Sequence, residues 1–344
     1  MAARIDTLLA LKYPLIQAPM AGVQNEQLTI AACKAGALGS LPCAMLSVEQ
    51  VVQAIENIQS KTEQPYNLNF FCHTPPAPNE AAQVRWLACL KPYYEEFGLS
   101  AEPPQGGGRT PFSDTMADAI EPYRPPVLSF HFGLPDQALV KRIKSWGSMI
   151  LSSATTVAEA TWLAANGADV IIAQGLEAGG HRGHFLNDSL DDQMGLFALL
   201  PQIVDAVDIP VIAAGGIADK RGVQAALQLG ASGVQIGTRF LTSHEATTSA
   251  IHRRTLMSKQ AQHTQLTNLF SGRPARGIVN RIIKELGPFN ENAPAFPSAT
   301  PALAPLRTAA EKQGSGDFSP LWSGENAQHC KEESTRSVIE SLFK

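Results

Sequence analysis

Residues 174–184 read Gln-Gly-Leu-Glu-Ala-Gly-Gly-His-Arg-Gly-His, which puts one histidine, His181, on a glycine-rich turn. A histidine in so bare a setting has little packing to do. With an ordinary pKa of about 6.5, its ring can donate a hydrogen bond to an oxygen or take a proton from carbon. Arg182 and His184 are the next polar candidates on the same turn. A second histidine, His131, stands in Ser129-Phe130-His131-Phe132-Gly133 and is placed to line the same pocket. The other histidines (73, 244, 252, 263 and 329) show no metal-ligand spacing, so no metal site is expected.

Two further turns suit an anion. One reads Ala214-Gly215-Gly216-Ile217 and the other Gln235-Ile236-Gly237-Thr238-Arg239. Glycines let the backbone come close to a charged group, exposed N–H groups then bind it, and Thr238 adds a hydroxyl. A phosphate held this way points to a phosphorylated cofactor, and a flat ring on that cofactor needs polar partners and a small surface to lie against. Asn69 and Gln174 can hydrogen-bond ring or ribityl atoms. Met20-Ala21-Gly22 offers the surface, and Gly179 and Gly180 flank the histidine.

Such groups need a scaffold that brings several turns to one place. Short apolar runs recur at 15–18, 37–40, 68–71, 127–130, 149–152, 170–173, 210–214 and 233–236, each ending in a small or polar tip. Helix-period segments follow, among them 27–34 (stopped at Gly36), 47–61 (with Ser47 as N-cap), 137–146, and 157–166 (stopped at Gly167). Continuous apolar strands without clean alternation suit a parallel sheet covered on both faces. Eight such units predict an α/β fold, a closed (β/α)8 TIM barrel, with chemistry at the C-terminal ends of its strands and phosphate gripped after strands seven and eight.

Two stretches break the rhythm. Residues 72–126, with Pro75-Pro76, Pro103-Pro104 and Gly106-Gly107-Gly108, read as an insertion carrying a helix at about 82–91. Residues 1–241 are thus expected to form the barrel. Residues 242–344 should begin as its eighth helix and continue as a smaller lid segment. Prolines at 288, 294, 297, 301 and 305 keep 288–305 from being one helix. Both irregular stretches belong near the barrel mouth.

Composition narrows the classes. The 344 residues are 44% hydrophobic and 17% charged, with a net charge of −4 and no basic stripe, which argues against nucleic-acid binding. No apolar run is long enough to span a membrane, and the N-terminal run is too short and too soon charged for a signal peptide. Five scattered cysteines read as reduced core thiols, and the expected location is cytoplasmic.

Several quoted pieces together resemble the nitronate monooxygenase family, formerly the 2-nitropropane dioxygenases, in its bacterial and fungal class I. They are Gln17-Ala18-Pro19-Met20-Ala21-Gly22, Asn67-Leu68-Asn69-Phe70-Phe71, the run around His131, Glu177 to Gly183, Ala213 to Ile217, and the stretch 314–322 (Gly-Ser-Gly-Asp-Phe-Ser-Pro-Leu-Trp). The Gly-Gly-His and Gly-Gly-Ile turns are shared with related flavin barrels, including an enoyl-thioester reductase and quinone reductases. The resemblance implies an FMN enzyme that oxidises alkyl nitronates with O2 to a carbonyl compound and nitrite. Propionate 3-nitronate would be the target and detoxification the role. It makes His181 the catalytic residue and assigns FMN contacts to Asn69, Gln174, Gly179, Gly216 and the run Gln235, Ile236, Gly237 and Thr238. The family tyrosine of the substrate tunnel falls near Pro297-Ser298-Ala299, where this chain has Ser298 or Ala299. Phe296 and Tyr123 are the candidates to compensate. The alternatives are an FMN-dependent NAD(P)H reductase of enoyl thioesters or quinones, and a flavin-binding protein without turnover. Oligomeric state stays open.

Overall fold

The computed structural model describes residues 3–101 and 109–344; Pro103-Pro104 and Gly106-Gly107-Gly108 lie outside the described residues. Its centre is eight parallel strands: β1 (Leu15–Gln17), β2 (Gly39–Pro42), β3 (Tyr66–Phe71), β4 (Val127–His131), β5 (Met149–Ala154), β6 (Val170–Gln174), β7 (Val211–Ala214) and β8 (Gly233–Ile236). They pair in the order β1-β8-β7-β6-β5-β4-β3-β2. A parallel bridge between Ile16 and Leu38 joins the two ends, with Leu38 N donating to Leu15 O and Gln17 N to Leu38 O, both at 2.9 Å. The sheet is a (β/α)8 barrel, as the sequence predicts. The second strand runs two residues later than its apolar run, because Leu38 spans the closure to β1 while Gly39–Pro42 pair with β3.

Side chains of alternate strands fill the barrel. Ile16, Leu38, Val127, Leu151, Val170, Ile172 and Ile212 form one cluster, joined by Ile5 from a short helix, Ile5–Leu8. The opposite faces pack on the helices α1 (Glu26–Ala35), α2 (Val48–Lys61), α3 (Asp114–Ile120), α4 (Gln137–Ser145), α5 (Val157–Ala165), α6 (Leu196–Ala206) and α7 (Lys220–Gln228). Ser47 caps α2 in a full capping box with Gln50, and Gly36 ends α1 in the left-handed region at φ 95°.

The eighth helix differs from expectation. Thr238–Phe240 is only a 3-10 turn, and the helix that packs between α1 and α7 is the C-terminal one, α8 (Thr335–Phe343). Its Val338, Ile339 and Leu342 are fully buried in the barrel core, whereas the segment after Leu241 leaves the barrel. Residues 242–334 are therefore an insertion between the last strand and the last helix, not a tail. The buried ion pair of Arg239 with Glu333 and the bridge between Ser243 and Glu333 tie its two ends together.

This insertion and the one after β3 form a shared lobe. Helix Glu80–Glu96, longer than the sequence suggests, packs on helix Thr300–Lys312. The indole of Trp86 donates to Ala299 O at 3.3 Å and the Tyr94 hydroxyl to Ala302 O at 2.6 Å. The proline-rich approach to Thr300 stays irregular, and Pro301 occupies the helix's first turn, where its missing N–H costs nothing.

If α8 closes the barrel, Leu342→Ala should destabilise the fold by about 2–5 kcal/mol in urea unfolding, the range for a buried leucine. A loss below about 1 kcal/mol would mean that this helix is a dispensable tail.

Candidate active site

The C-terminal ends of all eight strands border one cavity of about 200 Å³. Its lining includes Met20, Ala21, Asn69, His131, Gln174, Gly179, Gly180, His181, Gly215, Gly216, Gln235, Ile236, Gly237 and Thr238. Three sequence candidates fall outside it. Gly22 sits on the turn behind β1 at φ 81°. Phe296 is buried behind the His181 ring. Ser298 touches the insertion helix through its backbone, its carbonyl accepting from Gln83 Nε2 at 3.1 Å. Tyr123 precedes β4, at the opposite end of the barrel, where its hydroxyl donates to Glu56 at 2.8 Å. It cannot compensate for a missing tunnel tyrosine.

At one end of the cavity the glycine turns make a cradle. Gly215 and Gly216 have φ values of 125° and 67°, which favour glycine. A strap from the second insertion, Trp322 to Asn326, crosses them. Gly324 N donates to Thr238 Oγ1 at 2.9 Å, and Asn326 Nδ2 to Gly216 O at 2.9 Å. The strap lies so close that a Cβ on Gly179 would stand 2.5 Å from Gly324 N. Nothing in the local sequence marks the strap as part of the cradle; only the family resemblance of 314–322, which runs straight into it, points there. In the wall beyond, Gln235 Oε1 is buried without a partner, and Asn69 gives its amide hydrogens to Ser129, leaving its oxygen for a ligand. Backbone amides and unpaired polar atoms arranged this way suit a phosphorylated ligand with a polar ring.

His181 does not lie on a free turn. Gly180–His181 forms a two-residue strand, antiparallel to Ala275–Ile278 of the second insertion. Its Nε2 sits 2.8 Å from Ser271 Oγ, and its ring packs edge-on against Phe296 (5.3 Å) and Trp322 (5.5 Å). Burial lowers its pKa well below the usual imidazole value, and the neighbouring charge of Arg109 adds to this. The ring is therefore neutral at neutral pH, a hydrogen-bond donor rather than a cation.

The other polar residues of the turn hold it in place. Gln174 lines the cavity, yet its amide serves the turn: Nε2 donates to His181 O at 3.0 Å and Oε1 accepts from Gly183 N at 2.8 Å. His131 places Nε2 3.2 Å from His181 O and Nδ1 3.1 Å from Ser153 Oγ, so both of its nitrogens are engaged. Burial pushes it down to about 3, and His184 likewise. Arg182 is buried beneath the turn and does not reach the cavity. Arg109 does reach it, unforeseen in the sequence because it follows a proline- and glycine-rich stretch far from any motif. Among the described residues, no cluster could hold a metal ion and no helix is long and apolar enough to cross a membrane.

Fold and cavity together define a (β/α)8-barrel enzyme with an anion cradle and a neutral histidine at the strand ends. The profile of the family described as nitronate monooxygenase matches residues 3–344. A nitronate monooxygenase of Pseudomonas aeruginosa is 39% identical, covering 99% of each chain, and one of Paraburkholderia phytofirmans is 38% identical over 93% of this chain and 88% of its own. Among solved structures, a nitroalkane oxidase from Streptomyces ansochromogenes matches with TM-score 0.90 and 37% identity, over 98% of this chain and 96% of the other. FabK from Thermotoga maritima, at 24% identity and TM-score 0.74 over 99% and 95%, shares the fold. The chain belongs to the nitronate monooxygenase family, a family of flavin-dependent oxidoreductases.

The histidines also set an acid limit on stability. His131 and His184 titrate at about 3 when folded, against 6.5 for an exposed imidazole, so below pH 6.5 the unfolded chain binds more protons than the folded one. Stability should therefore fall as pH drops through 6.5 towards 3. The urea midpoint should decline between about pH 7 and about pH 5, above the range where carboxylates titrate. An unchanged midpoint over that interval would mean that these rings are not held neutral.

Proposed function

We propose that the protein oxidises alkyl nitronates with bound FMN and dioxygen, releasing a carbonyl compound and nitrite. Propionate 3-nitronate is the proposed substrate, detoxification in the cytoplasm the role. One observation carries the reading. A neutral donor, His181, shares its cavity with Arg109, which has no carboxylate partner among the described residues, and the glycine turns of the same cavity form an anion cradle. A nitronate is a planar oxyanion, and such a site favours it twice over: Arg109 attracts the charge, and the imidazole N–H hydrogen-bonds an oxygen without itself needing to ionise. Ser271 holds the ring's orientation from behind, while Phe296 and Trp322 fix its plane and keep water from that side.

The cofactor fit rests on the cradle and the wall. Backbone amides of Gly215, Gly216 and Gly237 with the Thr238 hydroxyl would hold the phosphate. Gln235 Oε1 and Asn69 Oδ1 would meet polar ring or ribityl atoms, and Met20-Ala21 would supply the apolar face. When bound, the flavin supplies the electron acceptance and the reaction with oxygen that no side chain here can provide.

Purified protein given propionate 3-nitronate, without any nicotinamide, should take up oxygen and release nitrite. His181→Asn with full flavin content should lose about 100-fold or more of this turnover. Absence of uptake in the parent protein, with flavin bleached by NADH under anaerobic conditions, would move it to the reductase reading. Unimpaired turnover in the variant would remove His181 from the chemistry.

A further inference from the structure

Arg109 lines the cavity as a charged group that no carboxylate among the described residues neutralises. Its guanidinium carbon lies 5.4 Å from the centroid of the Phe296 ring, and that ring packs 5.3 Å from His181, so Arg109 and His181 border the same aromatic wall. Of the neighbouring charges, Arg109 acts most strongly on His181. Among the described residues it has no carboxylate partner. Among the described residues, the carboxylate that lines the cavity is Glu177, which sits by the glycine turns and accepts from Leu196 N at 2.9 Å through each oxygen. The nearby guanidinium of Arg273 is already committed: it stacks 4.3 Å over Phe132 and donates to His184 O. A half-buried arginine facing a cavity, its fork unpaired among the described residues, is a costly arrangement unless a ligand supplies the missing anion.

The stretch expected to offer a polar substrate contact does not do so. Ser298 does not line the cavity, its carbonyl accepting from Gln83 of helix Glu80–Glu96, and Ala299 is fully buried in the lobe. The substrate end of the cavity therefore has His181 for one oxyanion and Arg109 for another.

We propose that Arg109 binds a carboxylate on the tail of the nitronate and so selects dianionic nitronates over those with an uncharged tail. This rests on the nitronate reading above and names the residue that sets its substrate class. A guanidinium can meet a carboxylate through two parallel N–H donors, which gives direction as well as charge.

Binding can be tested apart from turnover. Succinate copies such a dianion, with one carboxylate standing for the planar nitronate group, while butyrate carries a single charge. Calorimetric titration of the flavin-loaded protein should show succinate binding at least about tenfold tighter than butyrate, the scale of one charge-assisted hydrogen bond. Arg109→Met should bring the two within about threefold, and Arg109→Lys, which keeps the charge, should restore part of the difference. In turnover, the ratio of kcat/KM for propionate 3-nitronate to that for propyl-1-nitronate should fall by about tenfold or more in Arg109→Met. An unchanged ratio, whatever the absolute rates, overturns the proposal, as does equal binding of the two acids by the parent protein. Failure of the parent to oxidise any nitronate, with the succinate preference and its loss in Arg109→Met intact, would instead refute the nitronate reading and leave the anion subsite standing.

Discussion

A buried charge holds the site together. Arg182 has no exposed surface, and its guanidinium donates to Gln193 Oε1 (2.7 Å), Gly175 O (2.7 Å) and Gln174 O (2.8 Å). Loss of solvent lowers its pKa to about 10, which still leaves it protonated at neutral pH. Carbonyl dipoles stand in for water around the charge, and removing the cation would take a charged donor from three buried acceptors at once. With Arg182 pinned, the segment from Gln174 to His184 must curl over it. That curl presents Gly179 and Gly180 to the cradle and His181 to the cavity. Gln174 and His131 then tighten the same curl by binding the His181 carbonyl.

The barrel supplies half of the site and the insertion after β8 the other half. Ser271 behind His181, the strand Ala275–Ile278 beside it, and the strap from Trp322 to Asn326 all come from the segment that interrupts the last β/α unit. Both ends of this segment are anchored at the barrel, by Arg239 with Glu333 and by α8 in the core. The insertion thus acts as a fixed wall, and it converts an open strand-end turn into a walled pocket. Burial explains the neutral histidines, since it is the largest cause of each lowered pKa there.

The barrel and much of the cavity were legible in the sequence because both follow local rules. Apolar runs of strand length, glycines at strand ends and helix caps such as Ser47 carry their reasons within a few residues. Gly215, Gly216, Gly237, Thr238 and His181 could be placed at the mouth by counting units alone. What could not be read depends on contacts between distant segments. Arg109 and Ser271 lie in irregular stretches whose position is fixed only when the two insertions pack on each other. His131 looked like a pocket residue and does border the cavity, but both its nitrogens are used on neighbours. The true eighth helix did carry a local signal: Ser334 as N-cap, followed by Val338, Ile339 and Leu342 at helical spacing. The segment after Leu241 is favoured for that role only by coming next in the chain.

On the proposed reading, the glycine turns after β7 and β8, closed by the 322–326 strap, would grip the phosphate of the flavin. Titrating apoprotein with FMN and with riboflavin, followed by flavin fluorescence, tests it most directly, because the two ligands differ by the phosphate alone. The account predicts that FMN binds about 100-fold or more tightly than riboflavin, as two or more charge-assisted contacts would give. Equal affinity for the two would contradict it and place the cofactor's anchor elsewhere.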